Sequence, residues 1–320
     1  MLALSGACAA EVTAPDGAGP LYLLAADGGT QDCPDGLARG TAAHGGARQL
    51  ARMTPSPEGV TVCPNGDVFV ARDPSGEVWR VQLDAANKQG EQELWAKLGD
   101  RRPAGITCDD RGRLFVATFA TQSGKQGSLA PVMITEKGAA PVELPQPTAA
   151  AAIAGLNGIV AVPGIGVYAS DTNNSNIILV HESAEGVFDT KVVASDISMA
   201  NGLAFDPSTN TLYANASGSW ELLQFKVAAD GALSERKSVN VPFLFFMDGV
   251  AVDEKGDLYV ADWLGGSVVR VSTGRAVMRI ANPASLAFRG GTLLATDYKL
   301  GDAQAEGGLY AIDLGVCGAH

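Results

Sequence analysis

Positive charge is scarce in this 320-residue chain: 23 lysines and arginines stand against 35 aspartates and glutamates, a formal net charge of −12. With no dense basic run, nothing in the composition favours a nucleic-acid partner or an anionic membrane surface. Uninterrupted apolar length is also missing. The most apolar stretch, Thr148 to Ala169, contains Asn157, Pro163 and four glycines, so it reads as buried strands and turns rather than a membrane span. The five cysteines, Cys8, Cys33, Cys63, Cys108 and Cys317, fit no metal-ligand spacing. No linker stands out either, because the 39 glycines and 16 prolines are spread along the chain like turns between short strands. Closed all-β architectures reach this length as one domain, so a single domain over 21–320 is expected after an N-terminal segment, 1–20.

That segment opens "MLALSGACAAEV", apolar with small residues at Ala7 and Ala9, yet no lysine or arginine precedes Arg39. Two readings stand: the remnant of a secretory signal, which implies a secreted or periplasmic protein, or an unstructured start, which leaves the cytoplasm open.

What the chain has in abundance is a repeat. "SPEGVTVCPNGDVFVAR" at Ser56 is echoed by "RPAGITCDDRGRLFVAT" at Arg102, "GLNGIVAVPGIGVYASD" at Gly155, "MANGLAFDPSTNTLYAN" at Met199 and "MDGVAVDEKGDLYVADW" at Met247. "NPASLAFRGGTLLATD" at Asn282 keeps the pattern with Ser285 in place of glycine. The first positions are Glu58, Ala104, Asn157, Asn201, Asp248 and Ala284, spaced by 46, 53, 44, 47 and 36 residues. Each unit begins with two alternating strands around a turn, and further strand-like pieces such as "GEVWRVQL" and "QELWAKL" follow, about four strands per unit. Such a period is the signature of a β-propeller, here all-β with six four-stranded blades. "GGLYAIDL" supplies a third strand to the last blade, and "ARQLARM" near the start is expected to close the ring. "PLYLLAA" near Leu21 has no place in this scheme.

Equivalent positions of the innermost strands meet near a propeller's axis. Glu58, Asn157, Asn201 and Asp248 would therefore share one site: two carboxylates and two carboxamides of summed charge −2, a donor set suited to a hard divalent cation. Calcium, with its 6–8 oxygen ligands in flexible geometry, suits them better than magnesium, and zinc would want His or Cys. The competing reading is conformational, since Asn and Asp before Gly are ordinary turn residues. It does not account for Glu58.

The units "PEG", "LNG", "ANG" and "MDG", in that order around the ring, resemble the superfamily of senescence marker protein, gluconolactonase and strictosidine-synthase-like propellers, kin of paraoxonase and diisopropyl fluorophosphatase. The resemblance runs over roughly residues 45–314. It implies calcium held by Glu58, Asn157, Asn201 and Asp248, and a hydrolase of lactones, esters or phosphotriesters with Asp248 as base or nucleophile. A role for Asp248 as ligand alone stays open, as does a non-enzymatic, calcium-stabilised binding module. A small-molecule substrate and a monomeric protein are expected.

The chain departs from the pattern it resembles in places. The Arg-x-Asn-Asp-Gly segment of gluconolactonases is "RRPAG" here, so Arg101 matches while Pro103 and Ala104 replace the polar pair. A less polar substrate than a sugar lactone is implied, with Arg101 and Arg102 as candidates for binding an anionic group. None of the histidines, His44, His181 and His320, falls on a channel strand, so no paraoxonase-like dyad is evident. The glutamate of strictosidine synthases is answered only by Ser285, which lacks a histidine base. Paraoxonases tie their chain ends with a disulfide, which implies the same for Cys33 and Cys317. Cys63 and Cys108 are expected to be buried thiols.

Overall fold

A computed structural model describes residues 33, 46–84, 86–124, 128–148 and 152–319. The N-terminal segment, the extra strand near Leu21, His44 and His320 lie outside the described residues. Strand β1 (Arg48–Met53) precedes the first full blade, β2 (Gly59–Val62), β3 (Val68–Arg72), β4 (Glu77–Leu83) and β5 (Gln89–Lys97). The second comprises β6 (Arg101–Cys108), β7 (Leu114–Thr121), β8 (Val132–Ile134) and β9 (Val142–Glu143). The third comprises β10 (Leu156–Val162), β11 (Gly166–Asp171), β12 (Asn176–Ala184) and β13 (Val187–Ala194). In the fourth are β14 (Ala200–Asp206), β15 (Thr211–Ala216), β16 (Glu221–Val227) and β17 (Leu233–Val239). The fifth holds β18 (Met247–Val252), β19 (Leu258–Asp262), β20 (Ser267–Arg270) and β21 (Arg275–Arg279). The sixth is built from β22 (Pro283–Arg289), β23 (Thr292–Asp297), β24 (Gly307–Asp313) and, as its outermost strand, β1.

The expected six antiparallel four-stranded blades are thus present, and β1 closes the ring, with Ala51 opposite Leu309 and Arg48 paired to Asp313 at 2.9 Å. Strand composition follows radial position. β3 and β18 are buried along their whole length, whereas β17, "LSERKSV", is largely exposed, its charges guarding an open edge against further pairing. Apolar side chains fill six clusters, one between each pair of neighbouring blades. Tyr168, Ile177 and Leu179, for instance, pack on Leu203, Leu212 and Leu223, and each such burial contributes about 2 kcal/mol. The core therefore lies between blades and leaves the axis free for polar side chains.

Glycine after the first repeat position has a steric cause. A Cβ on Gly59 would stand 2.4 Å from the carbonyl oxygen of Ala104, one on Gly105 2.5 Å from that of Asn157, and one on Gly202 2.3 Å from that of Asp248. Gly158 and Gly249 meet the Asn201 and Ala284 carbonyls at 2.3 Å in the same way. Each innermost strand touches the next too closely for a side chain, and the contacts run from blade to blade round the axis. Ser285 is tolerated where the ring closes because its Oγ accepts a hydrogen bond from the Val60 N–H at 3.2 Å.

Two disulfides are present among the described residues. Cys33–Cys317 joins the chain ends as expected, with Cα atoms 5.6 Å apart. Cys63 and Cys108 are not thiols: they form a second disulfide, Cα atoms 5.2 Å apart. One follows β2 and the other ends β6, equivalent places on adjacent innermost strands, so the close approach of blades 1 and 2 that demands glycine at one end also brings the two sulfurs together at the other. Beside Cys317, the end of the chain lies across the channel where the innermost strands finish: Ala319 N–H donates to Val252 O at 3.0 Å, and Gly318 rests against Phe288.

Candidate functional site

Every innermost strand except β2 shows a register shift where it begins, between Pro103 and Ile106, Leu156 and Ile159, Ala200 and Leu203, Met247 and Val250, and Pro283 and Leu286. Such bulges release the first-position residue from the ladder and turn it toward the axis. Side chains of the second strands hold the bulges. Asn215 Nδ2 donates to Asp248 O at 2.6 Å, Ser170 Oγ accepts the Gly158 N–H at 2.8 Å, and Thr296 Oγ1 accepts the Ser285 N–H at 2.9 Å while donating across the seam to Glu58 O at 2.6 Å. Aspartates ending the second strands tie down the preceding loops: Asp171 accepts from Gly155 N–H, Asp262 from Phe245 and Phe246 N–H, and Asp297 from Asn282 N–H, all near 3.0 Å. In blade 1 Arg72 takes this place and donates instead to the carbonyls of Thr54 and Pro55.

The channel so framed encloses about 230 Å³, lined at one end by Glu58, Asn157 and Asp248 and at the other by Val252, Phe288 and Ala319. Glu58, Asn201 and Asp248 are buried, and Asn157 is half-buried. Glu58 Oε2 and Asn201 Oδ1 have no hydrogen-bond partner despite full burial. Burial, then the nearby Asp248 and Asp73 carboxylates, push the Glu58 carboxyl well above its ordinary range. Burial pushes Asp248 up as well, opposed by a hydrogen bond from the Asn201 side chain. Two buried carboxylates beside unpartnered amide and carboxylate oxygens form a donor set that a divalent cation would satisfy.

Of the residues expected here, Glu58, Asn157, Asn201 and Asp248 come together. The arginines stand at the rim and are engaged. Arg102 makes a two-pronged pair with Asp73, Nε to Oδ1 at 2.5 Å and Nη2 to Oδ2 at 2.6 Å, and Arg101 pairs with Glu143. Asp73 escaped notice in the sequence. It is buried beside Glu58, binds Arg102 and accepts a hydrogen bond from the Tyr298 hydroxyl, whose ionisation burial and that carboxylate oppose. Its place after the second strand of blade 1, in "ARDPSG", was the available signal. His181 lies away from the ring on β12, its Nδ1 2.8 Å from Ile165 O.

A second cavity, about 640 Å³, opens at the far end of the channel near Cys63, Cys108, Arg113, Glu182 and Phe205. There Arg113 binds both Asp109 and Glu182 at 2.7 Å, joining blades 2 and 3.

The fold and the ring define a six-bladed propeller with a carboxylate–carboxamide cluster at one mouth of its channel. Comparison with known proteins agrees. Residues 164–314 match the model of the SMP-30/Gluconolactonase/LRE-like region. The match contains Asn201 and Asp248, while Glu58 and Asn157 precede it. Among solved structures, a structural-genomics protein assigned as a gluconolactonase is 18% identical, with a TM-score of 0.67 over 87% of this chain and 95% of the other. A luciferin-regenerating enzyme is 20% identical, TM-score 0.60, covering 85% and 96%. A gluconolactonase from Xanthomonas campestris is 18% identical, TM-score 0.63, covering 84% and 89%. At such identities the likeness carries the fold.

Proposed function

We propose that the protein is a calcium-dependent hydrolase of lactones or related esters, phosphotriesters included, secreted or periplasmic, with its reaction centre at the Glu58–Asn157–Asn201–Asp248 end of the channel. The observation that carries this reading is the pair of buried carboxylates with unpartnered Glu58 and Asn201 oxygens at equivalent positions of the ring. Glu58, Asn157, Asn201 and Asp248 would hold the cation. When bound, calcium supplies a Lewis acid that polarises a substrate carbonyl or phosphoryl oxygen. Asp248, a carboxylate oriented by Asn201, takes a proton from water or attacks the acyl carbon itself. Arg101 and Arg102 would receive an anionic substituent only by exchanging Glu143 or Asp73. The family description and the names of the similar structures support lactone hydrolysis, and the two disulfides point to an oxidising compartment.

Metal analysis of protein purified without added metal, followed by turnover on a lactone, aryl-ester and phosphotriester panel with and without chelator, tests the reading. One calcium per chain and chelator-sensitive turnover are expected. Asn157→Ala and Asn201→Ala should narrow the difference in Tm between calcium-loaded and chelated protein. Stoichiometric zinc, or no turnover of any panel compound, would overturn it.

A further inference from the structure

Six of the eight large apolar side chains exposed among the described residues sit on one face, and it is the face carrying Glu58 and Asp248. They are Met199, Trp220, Phe243, Phe245, Leu264 and Leu300; the other two, Val142 and Val187, lie on the outer strands β9 and β13. All six occur where an innermost strand begins or a second strand ends, in blades 4, 5 and 6. Contacts make the arc continuous. Trp220 Nε1 donates to Phe245 O at 3.3 Å, the Phe243 and Phe245 rings meet edge to face at 5.4 Å, and Phe246 lies 6.1 Å from Trp263, whose Nε1 donates to Tyr298 O at 3.1 Å. Over blades 2 and 3 the same face presents Arg101, Arg102, Gln122, Asn173 and Asn174 instead.

Trp220 holds its place against local preference. It ends the turn between the second and third strands with φ 55°, in the left-handed region. The equivalent turns of blades 1 and 5 put glycine there, Gly76 at φ 67° and Gly266 at φ 63°, and blade 3 has Ser175 at φ 57°. Met199, two residues before Asn201, is likewise left-handed at φ 49°. Indole and thioether side chains in a backbone conformation that L-residues avoid, with Trp220 59% exposed and Phe243 79%, serve neither the turn nor the core.

We infer that this arc is the specificity surface of the reaction centre, and that the substrate is a lactone bearing a hydrocarbon chain which lies over blades 4 and 5 against Trp220, Phe243 and Phe245. The inference rests on the lactone reading above and names its substrate class. It agrees with Ala104 at the ring position of blade 2 and with the engagement of both rim arginines by carboxylates, which leave little to bond sugar hydroxyls.

Binding of cyclopentanones with an α-methyl, α-butyl or α-octyl group tests it, since these keep the ring, carbonyl and chain of a γ-lactone without the scissile bond. Titration of the calcium-loaded protein should show affinity rising about fourfold for each methylene that reaches the arc, the α-octyl compound binding about a hundredfold or more tighter than the α-methyl one. Trp220→Gly, which adopts the residue two other blades use at that turn, and Phe245→Ser should flatten the chain-length dependence. Chain-length-independent binding by the wild type, or an unaltered slope in both variants, would overturn the inference. So would flotation of the wild type but not Trp220→Gly with phosphatidylcholine vesicles in the absence of a chain-length effect. The two readings fail separately: ligand binding graded by chain length without turnover of any lactone removes the hydrolase and keeps the arc, while turnover of gluconolactone and dodecanolactone at equal kcat/KM does the reverse.

Discussion

Asp248 and Glu58 are both buried carboxylates at the head of an innermost strand, yet their neighbours differ. Asp248 receives a hydrogen bond from the Asn201 side chain, and its carbonyl is gripped by Asn215. Glu58 faces the Asp248 and Asp73 charges and keeps one oxygen without a protein partner. On the proposed chemistry, Asp248→Asn keeps an oxygen donor while removing the group that takes the proton or attacks. Excess calcium is then expected to restore metal binding but not turnover, with a loss of two or more orders of magnitude, about 3 kcal/mol of transition-state stabilisation. Glu58→Gln removes the same unit of ligand charge and no reacting group, so saturating calcium should rescue it substantially. Turnover at saturating calcium for both variants is the measurement, and equal rescue would make Asp248 a ligand alone.

Among the structural elements, the bulged starts of the innermost strands explain why the site residues were legible before their partners were. A repeat of "x-Gly" ahead of an alternating strand marks the first position directly, because both the glycine and its neighbour are set by close contact between strands. The residues that hold the bulge, Asn215, Thr296 and Ser170, come from second strands whose sequences differ from blade to blade, and Asp73 acts across the ring-closing seam toward Tyr298. No local pattern encodes them. At the opposite end, Glu182 of β12 clasps Arg113 beside β7. Hydrogen bonds from Arg113, then the Gly186 N–H, hold its carboxyl below the ordinary 4.5, at about 2. A depressed carboxyl stabilises the fold above its unfolded pKa, and that contribution is lost as pH falls from there toward 2. Glu182→Gln should cost about 1 kcal/mol at neutral pH, an amount set by solvent screening of an ion pair at the surface. It should also flatten the decline of Tm with acid in that window; thermal melts across it provide the check, and parallel profiles would remove Glu182 from the account of acid stability.

For the molecule as a whole, two disulfides act on different loops. In the chain-entropy description a link across 284 residues constrains the unfolded chain by about 5.6 kcal/mol, and one across 45 residues by about 4. Paired Cys-to-Ser variants at Cys33 and Cys317, or at Cys63 and Cys108, should each lower the denaturation midpoint, and peptide mapping without reductant should recover both links. Alkylation of all four sulfurs in the native protein would contradict both pairings. The blade count, the ring-closing β1 and the four oxygen donors followed from the amino-acid order, because strand alternation and glycine at a close contact are local demands that recur at a fixed period. The Cys63–Cys108 bond, the engagement of Arg101 and Arg102 by Glu143 and Asp73, and the gathering of Trp220, Phe245, Leu264 and Leu300 at one mouth were decided only in three dimensions. Each depends on which blades are neighbours and which end of a strand faces the channel mouth, and ring closure alone sets that arrangement.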